Sequence, residues 1–121
     1  MQKTLIAVAG CLLAGCSTAK LPQTLTAPAP ATALDCAREQ ATRMGYTVHA
    51  MAPSLHAQRA VAGHDAKFDE MEISMLTDGT PRLQVVARTT ETENGSREME
   101  KTSEAVHTDA LRLLAACGTT H

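Results

Sequence analysis

Glu70-Met71-Glu72-Ile73-Ser74-Met75, taken up again beyond Thr77-Asp78-Gly79 by Leu83-Gln84-Val85-Val86-Ala87-Arg88, decides the fold class. Met71, Ile73 and Met75 alternate with Glu70, Glu72 and Ser74, and Leu83, Val85 and Ala87 alternate with Gln84 and Arg88. Period two on both sides of a turn signal specifies a half-buried antiparallel hairpin. A two-residue Asp78-Gly79 turn would set Ile73 opposite Gln84 and mix apolar with polar side chains on one face. A three-residue Thr77-Asp78-Gly79 loop sets Ile73 opposite Leu83 and Met71 opposite Val85. Burial of a single face fixes register, so the expected loop is the three-residue one, with Gly79 left-handed in a bulge. The opposite face then pairs Phe68 with Arg88 and Glu72 with Gln84, and is expected to be solvated.

Working outward, Tyr46 to Met51 reads as a preceding strand closed by Pro53, and Leu55, Arg59 and Val61 as a short strand before Gly63. Upstream, Leu34, Ala37, Ala41 and Met44 recur at helical spacing, with Thr32 and Asp35 in capping positions and Gly45 as a left-handed stop. Downstream, Asn94-Gly95 marks a loop. Ser96 is expected to cap a final helix carrying the stripe Met99, Thr102, Val106, Ala110, Leu113 and Cys117, stopped at Gly118. Glu98 and Glu100 near its start and Arg112 near its end suit the helix dipole. The expected fold is therefore α+β in α-β-β-β-(β)-α order, with two helices covering one face of a three- or four-stranded antiparallel sheet.

The first quarter of the chain is of a different kind. Lys3 precedes the nine apolar or small residues Leu5 to Leu13, a run too short for a bilayer-crossing helix, which needs about 20 apolar residues. Leu13-Ala14-Gly15-Cys16 follows. These residues resemble the lipobox of a bacterial lipoprotein. The resemblance implies that residues 1–15 are a signal peptide removed by the lipoprotein signal peptidase. It also implies that Cys16 is acylated as the new N-terminus and anchors the chain to a lipid bilayer, several acyl chains holding it firmly. By similarity to enterobacterial sorting, Ser17 implies the outer membrane, with the domain facing the periplasm. Residues 16–31 read as the lipidated N-terminus and a Pro/Ala/Thr linker whose Pro22, Pro28 and Pro30 bar regular structure, with a reach of about 45 Å. Residues 32–121 are then the folded domain.

In such an oxidising compartment Cys36 and Cys117, the two thiols left besides the signal's Cys11 and the acylated Cys16, are expected to pair. The bridge would staple the first helix to the last across nearly the whole domain, and a domain this small has a marginal core by area alone.

Composition narrows the function. The formal net charge is −2 at pH 7, and loss of Lys3 with the signal makes it more negative. A mildly acidic chain has no electrostatic reason to bind nucleic acid. Tyr46 and Phe68 are its aromatics, with no Trp, which disfavours sugar and single-strand readers that stack ligands on rings.

Candidate chemistry is sparse. His49, His56, His64, His107 and His121 lack the spacing and acidic or cysteine partners of a zinc site. Glu91-Thr92-Glu93-Asn94-Gly95 fails as a calcium loop, because Gly95 falls where a ligand is needed and Thr102 at the twelfth position cannot be a bidentate carboxylate. The methionines Met44, Met51, Met71, Met75 and Met99 fall mostly on core stripes, without the close Met or Met/His clustering of a copper site. Nucleophile-elbow, C-x-x-C, H-E-x-x-H, Walker and dinucleotide patterns are missing, and Tyr46 reads as a ring at the core's edge. No catalytic, cofactor-binding or metal residue is expected.

The expected role is thus a non-enzymatic envelope lipoprotein whose domain contacts another envelope protein, by strand-edge pairing or helix docking. The alternative is a periplasmic ligand-binding or inhibitor lipoprotein, although lysozyme inhibitors of that kind resemble β-barrels with more strands. The element order is similar to helix-grip modules of outer-membrane assembly lipoproteins, a likeness of order that carries no residue across.

Overall fold

The alternating hairpin sits at the centre of a larger sheet than its flanks suggest. The computed structural model describes residues 21–119, which form β1 (Gln23–Pro28), α1 (Ala33–Arg43), β2 (Thr47–Met51), β3 (Ser54–Ala60), β4 (Lys67–Leu76), β5 (Arg82–Glu93), β6 (Ser96–Glu100) and α2 (Glu104–Cys117). All pairings are antiparallel, in the order β1-β5-β4-β3-β2, with β6 also on β5. The fold is α+β. Its sheet has six strands among the described residues rather than three or four.

Both additional strands come from segments read otherwise. Residues 16–31, read as linker, contain β1: Leu25 and Ala27 turn toward the core while Thr24 and Thr26 stay exposed. Pro28 is tolerated because it ends an edge strand, where a missing amide hydrogen breaks little of the ladder. Ser96, expected to cap the last helix, instead opens β6. Asn94 and Gly95 adopt φ of 53° and 81°, the left-handed pair of a tight hairpin turn, so Glu93 faces Ser96 and Met99 faces Thr90. The two strands share one edge of β5, β1 along Arg82–Ala87 and β6 along Thr89–Glu93.

Register in the central hairpin is shifted by two residues from expectation. Ile73 faces Val85, Met71 faces Ala87 and Met75 faces Leu83, and the connection runs from Thr77 to Pro81. Pro81 has no amide to give the ladder. Its carbonyl accepts from Ala29 N at 3.1 Å, while Arg82 Nη2 reaches Asp78 Oδ1 at 3.2 Å across the loop. A shift of two keeps every side chain on its face, so the buried set is unchanged.

Each helix lies on the side of Met71, Ile73, Leu83, Val85 and Ala87, with which Ala33, Ala37, Ala41, Val106, Ala110, Leu113 and Cys117 share one core. Helix α1 packs over β2, β3 and β4, and α2 over β1, β4 and β5. Thr32 is the N-cap of α1 but its hydroxyl makes no capping bond, so the Thr32/Asp35 box does not form. The stop at Gly45 does form. With φ +93°, Gly45 donates to Thr42 O at 3.0 Å and Tyr46 N to Ala41 O at 3.0 Å, the paired bonds of a Schellman end. Helix α2 starts at Glu104, where Ser103 Oγ accepts from Val106 N at 3.2 Å. Met99 and Thr102 of the expected stripe therefore precede the helix.

Cys36 and Cys117 form the expected disulfide, Cα to Cα 5.6 Å, joining α1 to the last turn of α2. The Leu13–Cys16 segment, residues 1–15, Cys11 and His121 lie outside the described residues.

Candidate functional site

Two neighbouring acids on β4 point to opposite faces of the sheet and each gathers a polar cluster. Asp69, 3% exposed, faces the helices, and Glu70, 2% exposed, faces away. Their strand partner repeats the device, since Thr89 Oγ1 donates to Asp69 Oδ1 at 2.8 Å and Thr90 Oγ1 to Glu70 Oε2 at 2.9 Å.

The helix-side cluster joins four elements. Arg59 of β3 lies opposite Asp69 in register, and its Nη2 stands 3.7 Å from Asp69 Oδ2 and 2.8 Å from Asp109 Oδ2 on α2. Its Nη1 donates to Met44 O at 2.8 Å, and the guanidinium lies 4.2 Å over the Tyr46 ring. Tyr46 in turn donates its hydroxyl to Asp109 Oδ2 at 2.8 Å. Ser103 Oγ donates to Asp69 Oδ1 at 2.9 Å, so the cap of α2 is anchored to the sheet. Buried charges persist only when paired and hydrogen-bonded, and here each acid has several partners.

Burial drives the Tyr46 phenol well above its ordinary pKa of 10.0, helped by its hydrogen bond to Asp109 and by the negative charges of Asp109 and Asp69, against the opposing Arg59 charge. The folded phenol thus holds its proton longer than the unfolded one. Its contribution to stability is complete below pH 10 and is lost as pH rises beyond that. Tyr46 is the single tyrosine of the chain. In an alkaline titration, phenolate absorbance should therefore appear together with loss of circular dichroism. A separate phenolate transition in folded protein would contradict this environment.

On the uncovered face, Glu70 accepts from Arg88 Nε at 3.1 Å and from Arg97 Nη1 of β6, with His56 Nε2 3.9 Å away. Arg97 also lies 5.3 Å over the Phe68 ring, and Arg88 Nη1 reaches Glu72 Oε1 at 3.7 Å. The face expected to be solvated thus contains a buried carboxylate. It pairs Glu70 with Arg88 and Phe68 with Thr90, not Phe68 with Arg88. Beside this cluster, Met51, Ser54, Leu55, His56, Glu72 and Arg88 line an open cleft of about 320 Å³. A second, polar cleft of about 630 Å³ lies at the start of α2 between Gln23, Lys101, Thr102, Ser103, Glu104 and His107.

Tyr46 occupies the core-edge position expected of it, 4% exposed. Met71 is fully buried, but Met51 is 59% exposed and Met99 sits on β6. His49 and His56 face each other across β2 and β3, and His107 keeps a buried Nδ1 without a partner. Among the described residues no group of three His, Cys, Asp or Glu side chains is arranged to hold a metal ion. Sequence reasoning missed Arg59, Asp69, Glu70 and Asp109 as a set. Asp109 did carry a signal, since it falls three residues after Val106 and four before Leu113 on the apolar stripe, where a carboxylate requires a cation.

No protein-family model and no curated protein sequence matches the chain.

Proposed function

We propose that this chain is a lipoprotein of the bacterial cell envelope, anchored by acylated Cys16, whose α+β domain is a non-enzymatic module that binds another envelope protein. The bilayer in question is the outer membrane, with the domain on its periplasmic side. The observation that carries the binding reading is the free edge of β2. Four of its five residues, Thr47, His49, Ala50 and Met51, are exposed, and among the described residues it pairs with β3 alone. Unpaired edge amides and carbonyls are a template for an added strand, and proteins usually guard them with proline, lysine or a covering element. The β2 edge holds neither proline nor lysine, whereas β1 at the other edge ends in Pro28. The acids gathered by the fold are already engaged by Arg59, Arg88, Arg97, Tyr46 and threonine hydroxyls, which favours a structural role for them over an acid–base one.

The test has two arms in intact envelopes. Radioactive fatty acid should label the wild type and not Cys16→Ser; equal labelling of both would remove the anchor. A photo-crosslinking residue at Ala50 should yield one stoichiometric protein adduct joined through an extended segment, while the same residue at Thr26 on β1 should not. Absence of any adduct at Ala50, with a small molecule retained by the purified domain, would favour the ligand-binding alternative.

A further inference from the structure

The strand β1, residues 23–28 of the expected 16–31 linker, leaves a short tether between the fold and Cys16. Resting on the lipoprotein reading above, we propose that the β1–β6 edge of the sheet lies against the bilayer and that the β2 edge points away from it. The described chain begins at Leu21, whose carbonyl accepts from Thr102 Oγ1 at 3.1 Å, so the exit point is held at the β6–α2 junction. Only residues 17–20 separate Leu21 from Cys16. Five Cα-to-Cα steps extend to about 18 Å at most, far less than the reach of an unstructured 16–31 segment.

The sheet sets the opposing length. From β1 through β5, β4 and β3 to β2 are four strand spacings, about 19 Å. If β2 rested on the headgroups, Leu21 would stand that far above them before the breadth of β2's own side chains is added. A fully extended tether could not then bring Cys16 to the acyl boundary. The opposite orientation places Leu21 at the surface. Leu21 is 67% exposed, and an apolar side chain beside an acyl anchor fits the headgroup boundary. Exposed Glu98 and Glu104 stand beside Arg97 and Lys101 and leave this edge no cationic excess, so the tether rather than charge orients the domain. The cleft bounded by Met51, His56, Glu72 and Arg88 runs from β2 to β5 across the uncovered face.

The full lipidated protein, reconstituted in phosphatidylethanolamine–phosphatidylglycerol vesicles containing a nitroxide-headgroup lipid, tests this. Single dyes are attached through Lys101→Cys or Met51→Cys, with the Cys36–Cys117 bridge verified by peptide mapping, and Thr24→Cys and His49→Cys serve as a second pair. Dyes at 101 and 24 should lose most of their emission and those at 51 and 49 should keep it. A flexible Gly/Ser insert of about 20 residues after Ser17 should erase the difference. Equal quenching at both edges or the reverse pattern would overturn the orientation, and a difference that survives the insert would overturn the short tether as its cause. Fatty-acid labelling of Cys16 in the same preparation separates the causes. Labelled protein with equal quenching sinks the orientation alone; unlabelled protein sinks the anchor and the orientation together.

Discussion

Arg59→Met should destabilise the domain by about 3 kcal/mol, the scale on which removing one partner of a buried ion pair leaves the other charge uncompensated. Two acids depend on this cation, Asp109 at 2.8 Å and Asp69 at 3.7 Å. The same guanidinium satisfies Met44 O and covers the Tyr46 ring. Methionine replaces much of the alkyl stem, so the loss would come from charge and hydrogen bonding more than from packing. Arg59→Lys should fall between, since an ammonium cannot span Met44 O and two carboxylates in one plane. Adding Asp109→Asn to Arg59→Met should return part of the loss, because a neutral amide tolerates the missing cation. Urea midpoints of wild type, Arg59→Met, Asp109→Asn and the double variant form the cycle. If Arg59→Met lies within about 0.5 kcal/mol of wild type, as ordinary surface substitutions do, the cluster is not a structural ion pair.

The apolar core around that cluster was legible in the sequence, and the cluster itself was not. Met71, Ile73, Leu83 and Val85 are periodic, so the central hairpin and its buried face were legible, as was the Val106–Cys117 stripe of α2. Register was less so: it depended on Pro81, which serves the β1–α1 loop through its carbonyl, a contact with no local trace. Strand β6 escaped because Ser96-Arg97-Glu98-Met99-Glu100 offers a single apolar residue and acids that also suit a helix start. The better clue was Asn94-Gly95, the strongest short hairpin signal there is. Strand β1 was hidden by its flanking prolines although Leu25 and Ala27 alternate with threonines. The Arg59–Asp69–Asp109 cluster joins residues ten to fifty positions apart, and its assembly requires the β3–β4 register and the docking of α2 together. Local pattern carries neither.

Opening the Cys36–Cys117 bridge should cost about 4 kcal/mol in the chain-entropy account of a cross-link closing a loop of this length, the two residues being 81 apart. Small domains have about 5–15 kcal/mol in total, so the reduced protein should survive with a markedly lower urea midpoint. The loss should not be spread evenly. Helix α1 buries alanines, Ala33, Ala37 and Ala41, which remove little apolar area from water, whereas α2 buries Val106, Leu113 and Leu114. The bridge is therefore a larger share of what holds α1 than of what holds α2. On reduction, hydrogen exchange should accelerate first in α1, while amides of β4 and β5 stay protected up to the global limit. Cys36→Ala/Cys117→Ala should behave like the reduced wild type, slightly weaker for the volume lost at buried Cys117. Equal midpoints for oxidised and reduced protein would mean that the helix–sheet core alone closes the domain. Uniform loss of protection would mean that α1 and the sheet unfold as one unit, held by the Schellman turn at Gly45 and the Arg59–Met44 contact rather than by the sulfur bridge.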